Sequence, residues 1–145
     1  MAKNETMDFS AFMAGSAIAA EPVEYVASKR FKGKDGKPVK WKIQPFSASE
    51  NDKLIKEFTR KVRLPNGERK NTFDNERYTL ATVVKAVSYP NLNDPGLQDS
   101  YGVMSAEELV QKMLLPGELS DLQMAVAQAL GFESDIADDI ETAKN

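Results

Sequence analysis

The residue types that most often carry catalysis are scarce in this sequence. It contains no histidine and no cysteine, which removes the common general base, the thiol nucleophile and the softer metal ligands. Glu107–Glu108 and Asp138–Asp139 are adjacent carboxylates, and adjacent residues of a helix point about 100° apart, so neither pair forms a two-carboxylate site. Serine nucleophile motifs, phosphate-binding glycine loops and EF-hand spacing are also missing from the sequence. We therefore expect a protein that is not an enzyme and needs no cofactor or metal.

A basic stretch offers a different chemistry, the binding of nucleic acid. Seven lysine and arginine residues lie between positions 29 and 42, with Phe31 and Trp41 among them, and such a ribbon could contact phosphates and stack on bases. The alternation of the same residues, however, sends the aromatic side chains inward and the lysines outward. Lysines on a strand edge also prevent aggregation. A small nucleic-acid-binding module is therefore the alternative function and not the favoured one.

The clearest β pattern surrounds these basic residues. Apolar and polar side chains alternate over residues 23–31 and 39–46, and Gly-Lys-Asp-Gly at 33–36 supplies a turn between the two runs. This pattern predicts an N-terminal β-hairpin with Trp41 in the core. Because a lone hairpin is marginally stable in water, we expect it to pack on helices.

Capping residues predict where the helices begin. Ser47 precedes Glu50 by three residues, which is the spacing of a capping box. It predicts a helix of about four turns through Val62, followed by a mobile polar loop. Asp74 predicts the start of a second helix, running to about Ser88. Asn93 or Asp94, before Pro95, predicts a short turn of helix.

The last two helices are predicted to form an αα-hairpin. Ser105 and Glu108 have capping-box spacing before the first helix, and Pro116–Gly117 separates it from the second. Gly131 suits the left-handed position that ends a helix. Two amphipathic helices joined by so short a connector are expected to lie antiparallel.

These elements predict an α+β fold, an N-terminal β-hairpin packed on a small bundle of four to five short helices. We expect residues 21–132 to form a single domain. Residues 1–20 are expected to be a flexible N-terminal arm, and residues 133–145 an acidic disordered tail, because neither end has enough apolar residues to offset the backbone entropy of ordering.

Charge is distributed unevenly along the chain. The net charge of −3 combines +7 over residues 23–77 with −8 over residues 78–145 and −2 over the first 22 residues. Such polarity favours a charged partner or a head-to-tail homo-oligomer that weakens as salt rises. No apolar run approaches the length of a membrane span, so we expect no membrane partner and a cytoplasmic location.

The C-terminal sequence resembles a known family. LNDPGLQDSYGVMSAEELVQKML, followed by PGELSDL, is similar to the C-terminal half of the XkdN-like phage tail assembly chaperones, and EYVASKRFKGKDGKPVKWKIQPFSASE extends the resemblance upstream. The resemblance covers most of residues 21–132. It implies a non-catalytic protein of a phage or prophage, which holds the long helical tape measure protein soluble until tail-tube subunits polymerise around it.

The same resemblance implies where the protein acts and with what. We expect it in the cytoplasm of the bacterial host and not in the mature virion. The tail tube protein and a frameshifted longer form of the chain are further partners that the resemblance admits. A structural tail component, retained in the particle, is the other alternative.

A chaperone for a helical protein needs exposed and adaptable apolar surface. Methionine and leucine suit this role because an unbranched thioether repacks at little cost, and helix-in-groove recognition is the expected mode. The αα-hairpin has more such residues than two inward stripes need, and the N-terminal arm adds two phenylalanines. The predicted partner-binding residues are Met104, Met113, Leu115, Leu119, Met124, Phe9 and Phe12.

Overall fold

A computed structural model describes residues 8–132 of the chain, and over these residues the fold is α+β. The elements in chain order are a 3-10 turn at Ser10–Phe12, β1 (Val23–Tyr25), β2 (Trp41–Ile43), α1 (Ala48–Glu57), β3 (Thr59–Arg63), β4 (Arg69–Phe73), α2 (Asn75–Ala86), β5 (Val87–Tyr89), α3 (Pro95–Ser100), α4 (Ala106–Met113) and α5 (Pro116–Ala129). The fold class predicted from the sequence is therefore confirmed.

Four helices begin at the capping residues that the sequence predicts. The side chain at each cap accepts a hydrogen bond from the backbone amide three residues later, which satisfies one of the free amides of the first turn. The four caps are Ser47, Asp74, Asp94 and Ser105. Pro116 opens α5 and Gly131, with φ of +91°, follows its end. These predictions are therefore confirmed. They could be made from the sequence because each depends on residues only a few positions apart.

The N-terminal hairpin forms one side of a three-stranded antiparallel sheet of order β1-β2-β5. Val23 pairs with Ile43 and Tyr25 with Trp41, so the predicted pairing is confirmed, although the strands are shorter than the alternation suggested. Trp41 and Ile43 are 2% and 0% exposed, as expected for the face toward the helices.

The third strand of this sheet corrects the predicted end of α2. The helix stops at Ala86, two residues before the predicted end near Ser88, and Val87–Tyr89 pairs with β2 instead. Two causes favour this change: Pro90 restricts the preceding residue to extended conformations, and the exposed edge of β2 needs a partner. The amide of Gln44 donates to the carbonyl of Ala86 at 2.7 Å, directly at the transition.

A second hairpin replaces the predicted end of α1 and the predicted mobile loop. Helix α1 ends at Glu57, and Thr59–Arg63 pairs with Arg69–Phe73 in an antiparallel ribbon that we call the β3–β4 hairpin. Gly67 has φ of +86° in its turn, the conformation that Asn-Gly sequences favour. The prediction failed because these strands are exposed on both faces and so have no apolar alternation.

The core lies between the three-stranded sheet and the helices. Its largest fully buried side chains come from β2, α2, the loop after β5, α4 and α5, and they are Trp41, Ile43, Val83, Leu92, Leu109, Val110, Leu122 and Val126. Helix α2 contacts α1, α4, α5 and β5. It is therefore the element through which the sheet and the C-terminal helices are joined.

Truncation in this core should destabilise the whole domain. Leu109 is fully buried, so Leu109→Ala should lower the free energy of unfolding by about 2–5 kcal/mol, from lost burial and the cavity left behind. Val62→Ala in the exposed β3–β4 hairpin is the control and should change it by less than about 1 kcal/mol. Urea unfolding followed by circular dichroism measures both, and similar losses in the two variants would contradict this core.

Candidate partner-binding surfaces

A groove runs between α2 on one side and α4 and α5 on the other. Two depressions meet in it, since Leu80 of α2 and Gln111 of α4 line both. Phe58 lies at one end and Leu119 of α5 at the other. We call this feature the α2–α4–α5 groove.

The floor of the groove is apolar and its rim is polar. Leu80 and Leu119 are half-buried and pack against the core, so each presents part of its side chain to a ligand. Arg77, Glu107 and Glu108 line the Phe58 end, where the Arg77 guanidinium stands 5.7 Å from the centre of the Phe58 ring. The residues of α2 that line the groove run from Asn75 to Leu80, about 9 Å of helix, so the groove can accept between one and two turns of an amphipathic helix.

Met113, one of the predicted binding residues, lies in the core. Its side chain is only 5% exposed, and it packs with Leu109 and Val110 on the inward side of α4. Helix α4 has eight residues, so its inward stripe needs Met113 to cover the neighbouring elements. Met113 is therefore buried and does not belong to the exposed apolar surface that was predicted from the sequence.

The other predicted residues of the αα-hairpin are accessible but do not form one patch. Met104 is 92% exposed in the loop before α4, Leu115 is 56% exposed at the start of α5, and Met124 is 55% exposed. Leu119 alone among them lines the groove. Met124 follows it by five residues, which turns its side chain about 140° around the helix. The residue types could be predicted, but their separation depends on the helix orientation.

The N-terminal arm presents a second apolar surface. Phe9 and Phe12 are 63% and 81% exposed, and Ile18, which the sequence analysis did not single out, is 96% exposed. The Gln44 side chain donates to the Ala20 carbonyl at 3.3 Å, where the arm meets the sheet. Exposed aromatic side chains of this size favour burial against a partner.

An ion pair holds the start of α5 against the N-terminal half of the chain. Arg30 donates to the Met113 carbonyl at 2.7 Å and to the Glu118 carboxylate at 2.9 Å. The same carboxylate accepts the Leu115 amide at 2.8 Å. The Ser28 hydroxyl, the Leu115 amide and Arg30 together lower the pKa of Glu118 to about 2. No local signal in the sequence links Arg30 to a residue 88 positions away, so this contact could not be predicted.

Neither a membrane-spanning helix nor a cluster of metal-binding carboxylates occurs within residues 8–132, the part of the chain that the structure describes. No helix there is long and apolar enough to cross a membrane. Between residues 8 and 132, no three carboxylates are grouped so that they could hold a metal ion.

The Arg30–Glu118 ion pair predicts a specific pH dependence. The pKa of Glu118 falls from 4.5 to about 2 on folding, so its contribution to stability is present above about pH 4.5 and is lost as the pH falls through about 2. The difference in urea midpoint between the wild type and Glu118→Gln should therefore be largest above pH 4.5 and shrink toward pH 2. Glu107→Gln is the control on α4. A difference that does not change with pH would contradict this role of Glu118.

The placement of the methionines predicts opposite effects of the same substitution. Met113→Asp buries a carboxylate in the core and should unfold the chain or lower its melting temperature strongly. Met124→Asp places the carboxylate on the exposed side of α5 and should leave the melting temperature and circular dichroism spectrum near those of the wild type. Equal stability of the two variants would contradict the burial of Met113.

Comparison with known proteins identifies relatives with this fold. A family model described as "Phage XkdN-like tail assembly chaperone protein" matches residues 9–144. The chain is 31% identical over 139 residues to the uncharacterized protein YqbN of Bacillus subtilis (strain 168), covering 95% of this chain and 93% of that protein.

The fold is shared as well. A crystal structure of the protein YqbN superposes with a TM-score of 0.75 at 27% sequence identity, covering 87% of this chain and 98% of the other. Since the family model matches nearly the whole sequence, the chain belongs to the XkdN-like family of phage tail assembly chaperones.

Proposed function

We propose that the protein binds the tape measure protein of its phage or prophage and keeps it soluble during tail assembly. The observation that carries this proposal is the α2–α4–α5 groove, where Leu80 and Leu119 form an apolar floor within a polar rim. A long helical chain with apolar stripes is a suitable occupant, because one stripe can lie on the floor while the flanking polar residues meet the rim.

The shallow floor suits a client that must later be released. Full burial of a leucine-sized side chain contributes about 1.5–3 kcal/mol, and part of any such gain is offset by the cost of association. A few half-buried contacts therefore give weak binding at each site. Several chaperones along one client would together cover its apolar surface, and each could be displaced when tube subunits polymerise.

The remaining exposed apolar residues add contacts outside the groove. Phe9 and Phe12 of the arm can reach a client or a neighbouring chaperone, since the arm is exposed throughout residues 8–20. Met104 and Met124 supply flexible side chains that adapt to different client segments. In this proposal they extend the surface, and the groove sets the helical specificity.

The proposed role is non-catalytic and belongs to assembly inside the host. The protein acts in the bacterial cytoplasm and leaves before the virion is complete. The tail tube protein, a frameshifted longer form of the chain and further copies of itself are the additional partners in this scheme. Its presence in purified virions at a fixed copy number would instead favour a structural tail component.

Blocking the groove should abolish the protection of the client. We expect co-expression with the tape measure protein of the same phage to raise the soluble fraction of that protein, as measured by centrifugation and gel analysis. Gln111→Trp fills the groove from an exposed position and should remove this effect without loss of folding.

A matched control lies on α5. Gln128 is also exposed and follows Leu119 by nine residues, which places it about 180° around the helix, so Gln128→Trp should protect the client as the wild type does. Loss of protection in Phe9→Ala/Phe12→Ala, with full activity of Gln111→Trp, would move the binding site to the arm. Failure of the wild type to raise client solubility would contradict the proposed function itself.

A further inference from the structure

The β3–β4 hairpin is a basic ribbon that no proposed contact with the tape measure protein uses. Its ten strand residues are almost all exposed. One carboxylate, Glu68, lies in its turn. Five cationic side chains project from the ribbon, and they are Arg60, Lys61, Arg63, Arg69 and Lys70.

The charge of this ribbon is not neutralised within the described part of the chain. The ion pairs among residues 8–132 join Arg30, Lys40, Lys56 and Lys85 to carboxylates, and none involves the five hairpin cations. Arg63 stands directly opposite Arg69 in the strand register, an arrangement of like charges that destabilises a strand pair. The hairpin therefore presents a surface that an anionic segment would stabilise.

The C-terminal segment has the complementary chemistry. Residues 133–141 contain five carboxylates and no lysine or arginine, and isoleucines at positions 136 and 140 lie among them. Phe73, which is 40% exposed, adds an apolar side chain on the hairpin face that Lys61, Arg63 and Arg69 share. The carboxylates of residues 133–141 thus have cationic counterparts on the β3–β4 hairpin, and their isoleucines have an apolar counterpart there.

The point where the described chain ends places this segment within reach. Phe132 lines a small cleft with Phe46, Ala48 and Asn51, at the start of α1, and the hairpin follows the other end of α1. Helix α1 has ten residues and the strands have five, so the path along both is about 32 Å. Thirteen residues, 133–145, can span up to about 43 Å.

We propose that the β3–β4 hairpin is the docking surface for residues 133–145 of the same chain. The segment binds by charge complementarity, with an isoleucine against Phe73, on the hairpin face that also carries Lys61, Arg63 and Arg69. Bound there, it shields the hairpin from other anionic partners. The interaction is exposed to solvent and is therefore weakened by salt.

A spin label on the segment tests this proposal on the full-length protein. The chain has no cysteine, so Ala143→Cys provides a single site for a nitroxide. In a ¹⁵N-labelled sample at low salt we expect selective broadening of the amide signals of residues 59–73, and recovery of these signals at about 0.5 M salt, where the Debye length is a few ångströms.

Charge variants in the same spin-labelled chain separate docking from chance proximity. Arg63→Gln/Arg69→Gln should abolish the broadening, as should neutralising the segment with Glu133→Gln, Asp135→Asn, Asp138→Asn, Asp139→Asn and Glu141→Gln. Lys34→Gln/Lys37→Gln makes the same charge change in the exposed loop between β1 and β2 and should leave the broadening unchanged.

Three outcomes would overturn the proposal. Broadening that spares the hairpin, or that survives Arg63→Gln/Arg69→Gln, would place the segment elsewhere. Equal broadening when a spin-labelled ¹⁴N chain is mixed with a ¹⁵N chain that carries no spin label would show docking between copies. Equal binding of a short DNA duplex by the wild type and the segment-neutralised variant would show that the segment does not shield the hairpin.

Discussion

The fold depends on the burial of one short strand. Trp41 and Ile43 of β2 are almost completely covered, and a two-stranded hairpin cannot cover them by itself. Strand β5 completes the sheet along the second edge of β2, and the helices close over its face. Because β5 follows α2 without a loop, completing the sheet also fixes where α2 ends and how it lies against the core.

The position of α2 in turn determines both candidate surfaces. One side of α2 forms the groove with α4 and α5. The Arg30–Glu118 ion pair holds the start of α5 in place. The N-terminus of α2 adjoins the β3–β4 hairpin, where the Asp74 amide donates to the Phe58 carbonyl at 2.9 Å. The same helix therefore adjoins two surfaces of different chemistry, an apolar groove along its side and a basic ribbon at its N-terminus.

The two surfaces are suited to different partners. Burial of apolar area on the groove floor changes little with salt, whereas the exposed cations of the ribbon are screened within about 10 Å at 0.1 M salt. Under the proposed function, a rise in salt would therefore release the segment docked on the ribbon without weakening the binding of the client in the groove.

The sequence by itself determined the family, the α+β class and the starts of the helices, because capping bonds join residues three positions apart. It also determined the pairing of β1 with β2 and the burial of Trp41, through alternation. Only the tertiary structure decided that Val87–Tyr89 becomes a strand, that Met113 is buried and that Arg30 reaches Glu118, since each depends on a distant partner. The β3–β4 hairpin had no apolar pattern to reveal it, because neither of its faces is buried.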